Sequence, residues 1–167
     1  MLRTLQAPGP ASAGSEEGDL RYFAQRRFGP QWRSVLLALA AELFENFQVE
    51  EARGFFRQIG IRVSQESALP TVATVQELEQ VLNATLAELD WGYATLTVRE
   101  GDIAIRHRAW PGQGLDHPAA GAWRRAFAAL LEGVYTVWLQ QQGGRADMAA
   151  KHNDDPSGDV LEFSYGI

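Results

Sequence analysis

The sequence contains no cysteine among its 167 residues, and its only lysine is Lys151. The missing thiols exclude disulfide bonds, thiolate catalysis and metal sites built on cysteine. Arginine supplies the remaining positive charge, but acidic residues outnumber basic ones and the net charge is −6. This negative balance argues against nonspecific binding of nucleic acid.

Long apolar runs are also missing. No stretch approaches the 18 consecutive apolar residues of a transmembrane helix, so direct membrane insertion is not expected. Arg3 stands near the N-terminus, but no apolar run of signal-peptide length follows it. We therefore expect a cytoplasmic protein, with the periplasm as the alternative.

Motifs that bind nucleotides or activate nucleophiles are absent as well. Gly112-x-Gly114 lacks a third glycine, and the chain has no P-loop lysine, nucleophile elbow or Ser-x-x-Lys motif. None of the three histidines has the spacing of a metalloprotease site. We expect His107 to be packed or hydrogen-bonded on a strand, and His117 and His152 to be solvated in loops. We predict no cofactor and no metal.

What the sequence does contain is enough apolar material, 46% of its residues, for one hydrophobic core. Residues 1–18 are rich in alanine, glycine, proline, serine and glutamate, a composition that predicts a flexible N-terminal tail. Residues 19–167 are then a single domain.

Several stretches repeat apolar residues at three- and four-residue steps, which predicts amphipathic helices. In the long helix, Val137 and Leu139 lie beside the main apolar stripe, which suggests self-association, although a compact monomer would also explain it. The first predicted helix is short and capped by Asp19, the second carries a single broad apolar stripe from Trp32 to Phe47, and the third runs from 49 to 59 and stops at Gly60. The fourth begins with a capping box of Thr74 and Glu77. The fifth is long, with Asp116 near its cap, Pro118 in its first turn and Gly143-Gly144 at its end.

Two-residue alternation begins after Gly92 and predicts strands. A tight-turn signal at 100–102 separates two such stretches and predicts a hairpin. A last strand is predicted at 160–165, after a polar, turn-rich segment at 151–158. Because the helices and strands are grouped rather than alternating, we expect an α+β fold, with several amphipathic helices on a small antiparallel sheet.

Two further patterns bear on function. Asp90 and Glu132 stand near aromatic residues, and a glycoside hydrolase needs two carboxylates across a sugar, so they are the candidates for that alternative. Five tryptophans are many for one domain. Trp32, Trp123 and Trp138 lie on apolar stripes and are expected in the core, although some aromatics could form oligomer contacts. A second alternative is a module that binds a small molecule in an apolar pocket.

Three motifs occur in order and carry a resemblance. The first is Leu89-Asp90-Trp91-Gly92-Tyr93-Ala94-Thr95-Leu96, the second Gly121-Ala122-Trp123, and the third Leu131-Glu132-Gly133-Val134-Tyr135-x-x-Trp138. Together they resemble the D subunits of bacterial cellulose synthase, over roughly residues 31–167. The preceding helix, with Glu77-Leu78-Glu79 and 83–86, also fits.

The resemblance implies a protein that is not an enzyme. Members of that family are similar α+β subunits that assemble as dimers into a cylindrical homo-octamer. The cylinder is thought to guide nascent β-1,4-glucan chains for polysaccharide export and to align synthase complexes for crystallisation. The implied partners are other copies of the chain, the other cellulose synthase subunits and the glucan, and the implied place is beside the inner-membrane synthase complex.

The resemblance does not supply the residues that contact glucan. The family's passages involve the N-terminal part of the chain, and residues 1–29 here match none of the motifs. On physical grounds the candidates for carbohydrate binding are Arg21, Tyr22, Phe23 and Arg26, since aromatic faces cover glucose rings and arginine donates hydrogen bonds to hydroxyls. The alternative is that this short helix packs on the body of the domain.

Overall fold

The computed structural model describes residues 28–154 and 159–166, which form four helices and one antiparallel sheet of four strands. This confirms the predicted α+β domain, whereas the tail at 1–18 and the helix capped by Asp19 lie outside the described residues. The helices are α1 (Pro30–Asn46), α2 (Val49–Glu66), α3 (Val75–Glu88) and α4 (Ala120–Gln141), and the strands, in the sheet order β1-β2-β4-β3, are β1 (Tyr93–Val98), β2 (Asp102–Arg108), β3 (Ala149–Asn153) and β4 (Leu161–Gly166).

The long helix α4 runs through the middle of the domain. It packs against α1 and α2 on one side and against β3 and β4 on the other. Trp123, Phe127, Leu131 and Trp138 are almost wholly buried along it. Leu139 is buried too, by contacts within one chain, whereas Val137 is only half-buried. Leu139 therefore gives no support for self-association.

The predicted stop at Gly60 is wrong, because α2 continues through it to Glu66. The reason is tertiary. A Cβ built on Gly60 would lie 1.9 Å from the Leu130 carbonyl oxygen, so only glycine allows α2 to approach α4 this closely. Gly60 serves a helix crossing rather than a helix end.

The segment at 151–158 was predicted to be polar and turn-rich, but its first three residues belong to β3. This strand pairs with β4, where Ala150 lies opposite Tyr165 and His152 opposite Phe163. His152 is therefore not the solvated loop residue that was expected, since its side chain is only 2% exposed. Burial lowers the pKa of His152 below its ordinary value.

The local start and stop signals hold at three places. Thr74 and Glu77 form the predicted capping box, with the Thr74 hydroxyl accepting a hydrogen bond from the Glu77 amide at 3.1 Å. Gly101 makes the hairpin turn with a φ of +93°, and Gly143 follows α4 with a φ of +98°. The start of α4 differs from the prediction in two ways. The helix begins at Ala120, after Pro118. The side chain of His117, and not that of Asp116, accepts a hydrogen bond from the Ala119 amide at 3.0 Å.

Candidate functional site

The first and third sequence motifs meet at His107, on β2. The His107 Nε2 atom donates a hydrogen bond to the Trp91 carbonyl at 2.7 Å, because a carbonyl can only accept. The Nδ1 atom then accepts from the Tyr135 hydroxyl at 2.5 Å. Burial lowers the pKa of His107 to about 4 and raises the pKa of Tyr135 well above its usual range. The two uncharged side chains therefore link the sheet to α4 by a hydrogen bond, in keeping with the hydrogen-bonded role expected for His107.

The Trp91-Gly92-Tyr93 motif forms the corner between α3 and β1. Gly92 has a φ of +96°, and a Cβ there would lie 2.1 Å from the Arg108 carbonyl oxygen at the end of β2. Another side chain is therefore excluded by both conformation and space. The Trp91 ring meets Phe127 edge-on at 5.5 Å, which anchors the corner against α4.

Glu132, from the third motif, is buried at the centre of α4 and contacts two arginines of α2. Its Oε1 atom lies 2.6 Å from Arg53 Nη2, and its Oε2 atom lies 2.8 Å from Arg57 Nη2. Oε1 also accepts a hydrogen bond from the backbone amide of His152 on β3 at 2.9 Å. The carboxylate is thus occupied in joining α2, α4 and β3.

These contacts weigh against the glycoside hydrolase alternative. A catalytic carboxylate must reach the sugar, whereas Glu132 is held by two guanidinium groups and an amide. Asp90 is exposed, has a φ of +55° and lies two residues beyond the end of α3. Glu132 is therefore not available as the second carboxylate of the pair.

The tryptophans of the second and third motifs are buried, as predicted, and the indole N–H of each donates a hydrogen bond to a backbone carbonyl of a loop. Trp123 Nε1 donates to the Pro111 carbonyl at 2.7 Å, and Trp138 Nε1 donates to the Ser67 carbonyl at 2.9 Å. Gly133 permits the contact with α2, since a Cβ there would lie 2.2 Å from the Arg57 carbonyl oxygen. Gly121 differs, because a Cβ there would meet no atom within 4 Å.

Helix side chains cover both edges of the sheet. At the β1 edge, Asn83 bonds to both backbone groups of Ala94, at 2.8 and 2.7 Å, and Glu79 accepts from the Leu96 amide at 2.6 Å. At the β3 edge, Thr136 accepts from the Ala150 amide at 2.9 Å, and Glu132 from that of His152. At each edge, two helix side chains separated by four residues accept hydrogen bonds from two strand amides separated by two residues. These amides are unavailable to a further strand.

The exposed apolar surface lies instead on α1. Leu37, Ala40 and Phe44 are its buried residues, and Arg125 of α4 lies 4.3 Å above the Phe44 ring. Another three apolar residues with the same spacing point outward, and we call Trp32, Val35 and Leu39 the α1 face. They are 62%, 56% and 37% exposed. The single stripe predicted for this helix is therefore two stripes, and Trp32 is not the core residue that was expected, because α4 covers only one side of α1.

The α1 face does not stand alone. In the described part of the chain, seven large apolar side chains are exposed, and six of them lie between Trp32 and Phe55, in α1, α2 and the turn between them. Exposed apolar residues gathered in this way mark interaction surfaces. The α1–α2 hairpin is thus the candidate site for a macromolecular partner.

Among the pockets of the described chain, one of about 390 Å³ lies between the start of α3, the β1–β2 hairpin and the end of α4 and is a candidate for the small-molecule alternative. Its walls are mostly apolar, and Arg99 and Asp102 stand among them. The buried Tyr165 hydroxyl at this pocket has no hydrogen-bond partner among the described residues. These residues do not specify a ligand class.

Metal ligands and membrane-spanning helices are both missing from the part of the chain that the structure describes. Within residues 28–154 and 159–166, no group of three or more histidine or acidic side chains is placed to hold a metal ion. In the same ranges, none of the helices combines the length and apolarity needed to cross a membrane.

The relationship to known proteins agrees with the motifs. The family model for the D subunit of cellulose synthase matches residues 19–166. The chain belongs to this cellulose synthase family. Proteins named "Cellulose synthase operon protein D" from Komagataeibacter xylinus and Komagataeibacter sucrofermentans are each 31% identical over 117 residues, which is 69% of this chain and 73% of theirs.

The family match also corrects the extent of the resemblance. It begins at residue 19 rather than near residue 31, so part of the N-terminal region that carried no recognised motif belongs to the family sequence. Arg21, Tyr22, Phe23 and Arg26 fall inside this match but lie outside the described residues. Their assignment as glucan contacts stays a prediction.

The sequence analysis did not predict the buried ion pairs and side-chain-to-backbone hydrogen bonds that join the elements of this fold. Arg53 and Arg57 are spaced i, i+4 on α2, and Glu132 is a single acid in an apolar stretch of α4. That combination was the available signal for a buried ion pair. The edge contacts of Asn83 and Thr136 left no comparable trace, because their partners are backbone amides.

Proposed function

We propose that this chain is a non-catalytic structural subunit of bacterial cellulose synthesis. It self-associates through the α1–α2 hairpin into a closed oligomer, for which the family resemblance suggests an octamer built from dimers. The oligomer guides or aligns nascent β-1,4-glucan chains for export and crystallisation. Its partners are further copies of the chain, the other synthase subunits and the glucan.

The observation that carries this proposal is the second apolar stripe of α1. A helix that is apolar on two faces needs cover on two sides, and α4 provides only one. The covered sheet edges support the same route, because growth of the oligomer by strand pairing would have to displace Asn83 or Glu132. Helix packing is therefore the favoured mode of association.

Light scattering after size exclusion tests this proposal on the full chain. We expect a particle several times heavier than the 18.5 kDa chain at about 10 µM. Val35→Glu places a charge in the α1 face and should reduce the mass towards that of one chain or one dimer. Val98→Glu is the matched control, since Val98 is also a well exposed valine but lies at the end of β1.

A monomeric wild-type chain, or equal masses for the two variants, would contradict self-association through this hairpin. The cellular role needs a separate measurement. A strain that lacks the gene and is complemented with Val35→Glu should make cellulose ribbons of poor order, whereas Val98→Glu should restore normal ribbons. Normal ribbons with Val35→Glu, despite loss of the oligomer, would argue against an assembly role.

The corresponding prediction for location is the cytoplasmic side of the inner membrane, close to the synthase complex, with the periplasm as the alternative. Protease accessibility of a C-terminal tag in spheroplasts distinguishes the two. A tag that is digested only after the spheroplasts are lysed supports the cytoplasmic side, and digestion in intact spheroplasts contradicts it.

A further inference from the structure

One side of the sheet faces away from α4. His107 and Phe163 contact Tyr135 of α4, so the residues that alternate with them on β2 and β4 lie on the other side of the sheet. The strand pairing arranges that side in two rows, which we call the outer face. The first row is Thr95, Arg106, Glu162 and Asn153, and the second is Thr97, Ala104, Ser164 and Lys151.

The outer face is long and nearly flat. Each row crosses all four strands, so it is about 14 Å long at the usual strand spacing, and the two rows lie about 7 Å apart. Five of the eight residues are exposed. The short side chains of Ala104 and Ser164 stand at the centre of the second row, and a hollow of about 90 Å³ lies beside them, lined by Asp102, Lys151 and Ser164. This shape suits an extended ligand better than a small one, which needs a site that encloses it.

The outer face combines many hydrogen-bonding groups with balanced charge. Arg106 and Glu162 form an ion pair at 2.9 Å, and Lys151 shares the hollow with Asp102. A polyanion such as nucleic acid requires a surplus of positive charge, which these residues do not provide. Hydroxyl and amide groups fill three of the remaining positions, at Thr95, Thr97 and Asn153.

The same surface lacks what a protein partner favours. Protein interfaces are enriched in aromatic residues and depleted of charge at their centre. Seven large apolar side chains are exposed in the described part of the chain, and none of them belongs to the two rows. The ligand with matching chemistry is a neutral chain rich in hydroxyl groups, because each hydroxyl both donates and accepts hydrogen bonds.

We propose that the outer face binds an extended, neutral polysaccharide, which lies along the two rows and across the strands. The identification of this polysaccharide as β-1,4-glucan rests on the proposed function. The hydroxyls of Thr95, Thr97 and Ser164 exchange hydrogen bonds with the sugar hydroxyls, and Ala104 leaves room for the chain to lie close to the sheet. The α1–α2 hairpin packs on the opposite side of α4, so bound glucan does not compete with self-association.

Native electrophoresis of the full chain, in gels that contain hydroxyethyl cellulose, tests the binding. We expect this neutral glucan to slow the protein, and the polyanion heparin to leave its mobility unchanged. Thr95→Val/Ser164→Ala removes one hydroxyl from each row without changing the charge and should weaken binding about tenfold. The matched variant Thr71→Val/Ser34→Ala removes exposed hydroxyls elsewhere and should bind like the wild type. Both variants should keep the wild-type Tm.

Three results would overturn the proposal. These are a wild-type chain that hydroxyethyl cellulose does not slow, equal binding by the two variants, and retardation by heparin in place of the glucan. The mass of the particle is measured separately by light scattering. An oligomer that does not bind the glucan would contradict this inference alone, whereas a monomer that binds it would contradict only self-association.

Lys151 allows the location of the bound polymer to be measured. It is the only lysine of the chain, so an amine-reactive acetylating ester modifies no other side-chain amine. Hydroxyethyl cellulose should slow the acetylation of Lys151, measured by mass spectrometry, and should slow it less in Thr95→Val/Ser164→Ala. An unchanged acetylation rate at a polymer concentration that retards the protein would place the binding elsewhere and would refute the outer face as the site.

Discussion

Gly60 of α2 and Gly133 of α4 mark the closest approach of the two helices. A Cβ on Gly60 would lie 1.9 Å from the Leu130 carbonyl oxygen, and a Cβ on Gly133 would lie 2.2 Å from that of Arg57. Each helix therefore uses one glycine to admit the backbone of the other. This contact also brings Arg53 and Arg57 to the buried Glu132.

Gly60→Ala should destabilise the protein by roughly 3 kcal/mol, because backbone atoms cannot yield to the new methyl group and the helices must separate. Gly54→Ala is the control on the same helix, since a Cβ there meets no atom within 4 Å. That change should instead stabilise the protein by roughly 0.5–1 kcal/mol, through helix propensity. Chemical denaturation measures both, and a harmless Gly60→Ala would refute the close crossing.

Asn83→Ala removes both side-chain bonds to Ala94 and exposes the edge of β1. The expected loss is about 1–3 kcal/mol of unfolding free energy, because an amide and a carbonyl lose their partners. Aggregation on prolonged incubation should also increase. Gln80→Ala, at an exposed position of α3, is the control and should change neither property. Similar behaviour of the two variants would show that Asn83 does not protect the edge.

Glu132→Ala should cost roughly 3–5 kcal/mol, since it leaves Arg53 and Arg57 without their shared partner at a largely buried position. The comparison is Glu162→Ala, which breaks the exposed pair with Arg106 on neighbouring strands. That change should cost less than about 1 kcal/mol. Urea denaturation at low and high salt measures both, and a Glu132 loss as small as the Glu162 loss contradicts the buried pair.

The depressed pKa of His107 predicts that stability depends on pH. The unfolded chain binds a proton at this histidine below about pH 6.5, whereas burial keeps the folded form neutral until about pH 4. Stability is therefore fully present above about pH 6.5 and is lost as the pH falls through this window. Between pH 7 and pH 5 we expect a loss of about 2 kcal/mol from this group.

Other groups titrate in the same range, and His152 has a lowered pKa as well. The contribution of His107 is therefore the difference between the wild type and His107→Gln, measured by denaturation at pH 7 and at pH 5. The variant should be less stable at pH 7 but should lose less stability on acidification. Equal losses in the two proteins would mean that His107 does not titrate as its surroundings indicate.

Local chemistry made much of the fold predictable. The Thr74–Glu77 capping box starts α3, and Gly101 turns the hairpin, because both signals act within a few residues. The alternation at 160–165 likewise predicts β4, since one face of that strand is buried. The three motifs also predict family membership, which the match over residues 19–166 confirms.

The errors share one cause, which is contact between distant parts of the chain. The sequence predicts a helix end at Gly60 because it does not show that α4 packs against this residue. It predicts a turn at β3 because it does not show the pairing with β4. Trp32 reads as core because periodicity cannot tell which of two apolar stripes a neighbour covers.

By itself, the sequence determined the α+β class, most helix and strand starts, the absence of thiol chemistry and the family. These follow from residue type and short-range spacing. Only the tertiary structure decided that Glu132 joins three elements, that helix side chains close both sheet edges, and that α1 keeps an apolar face outside. The physical reason is that burial and hydrogen-bond partners depend on which surfaces meet, and residues 20 to 79 positions apart meet only in the folded chain.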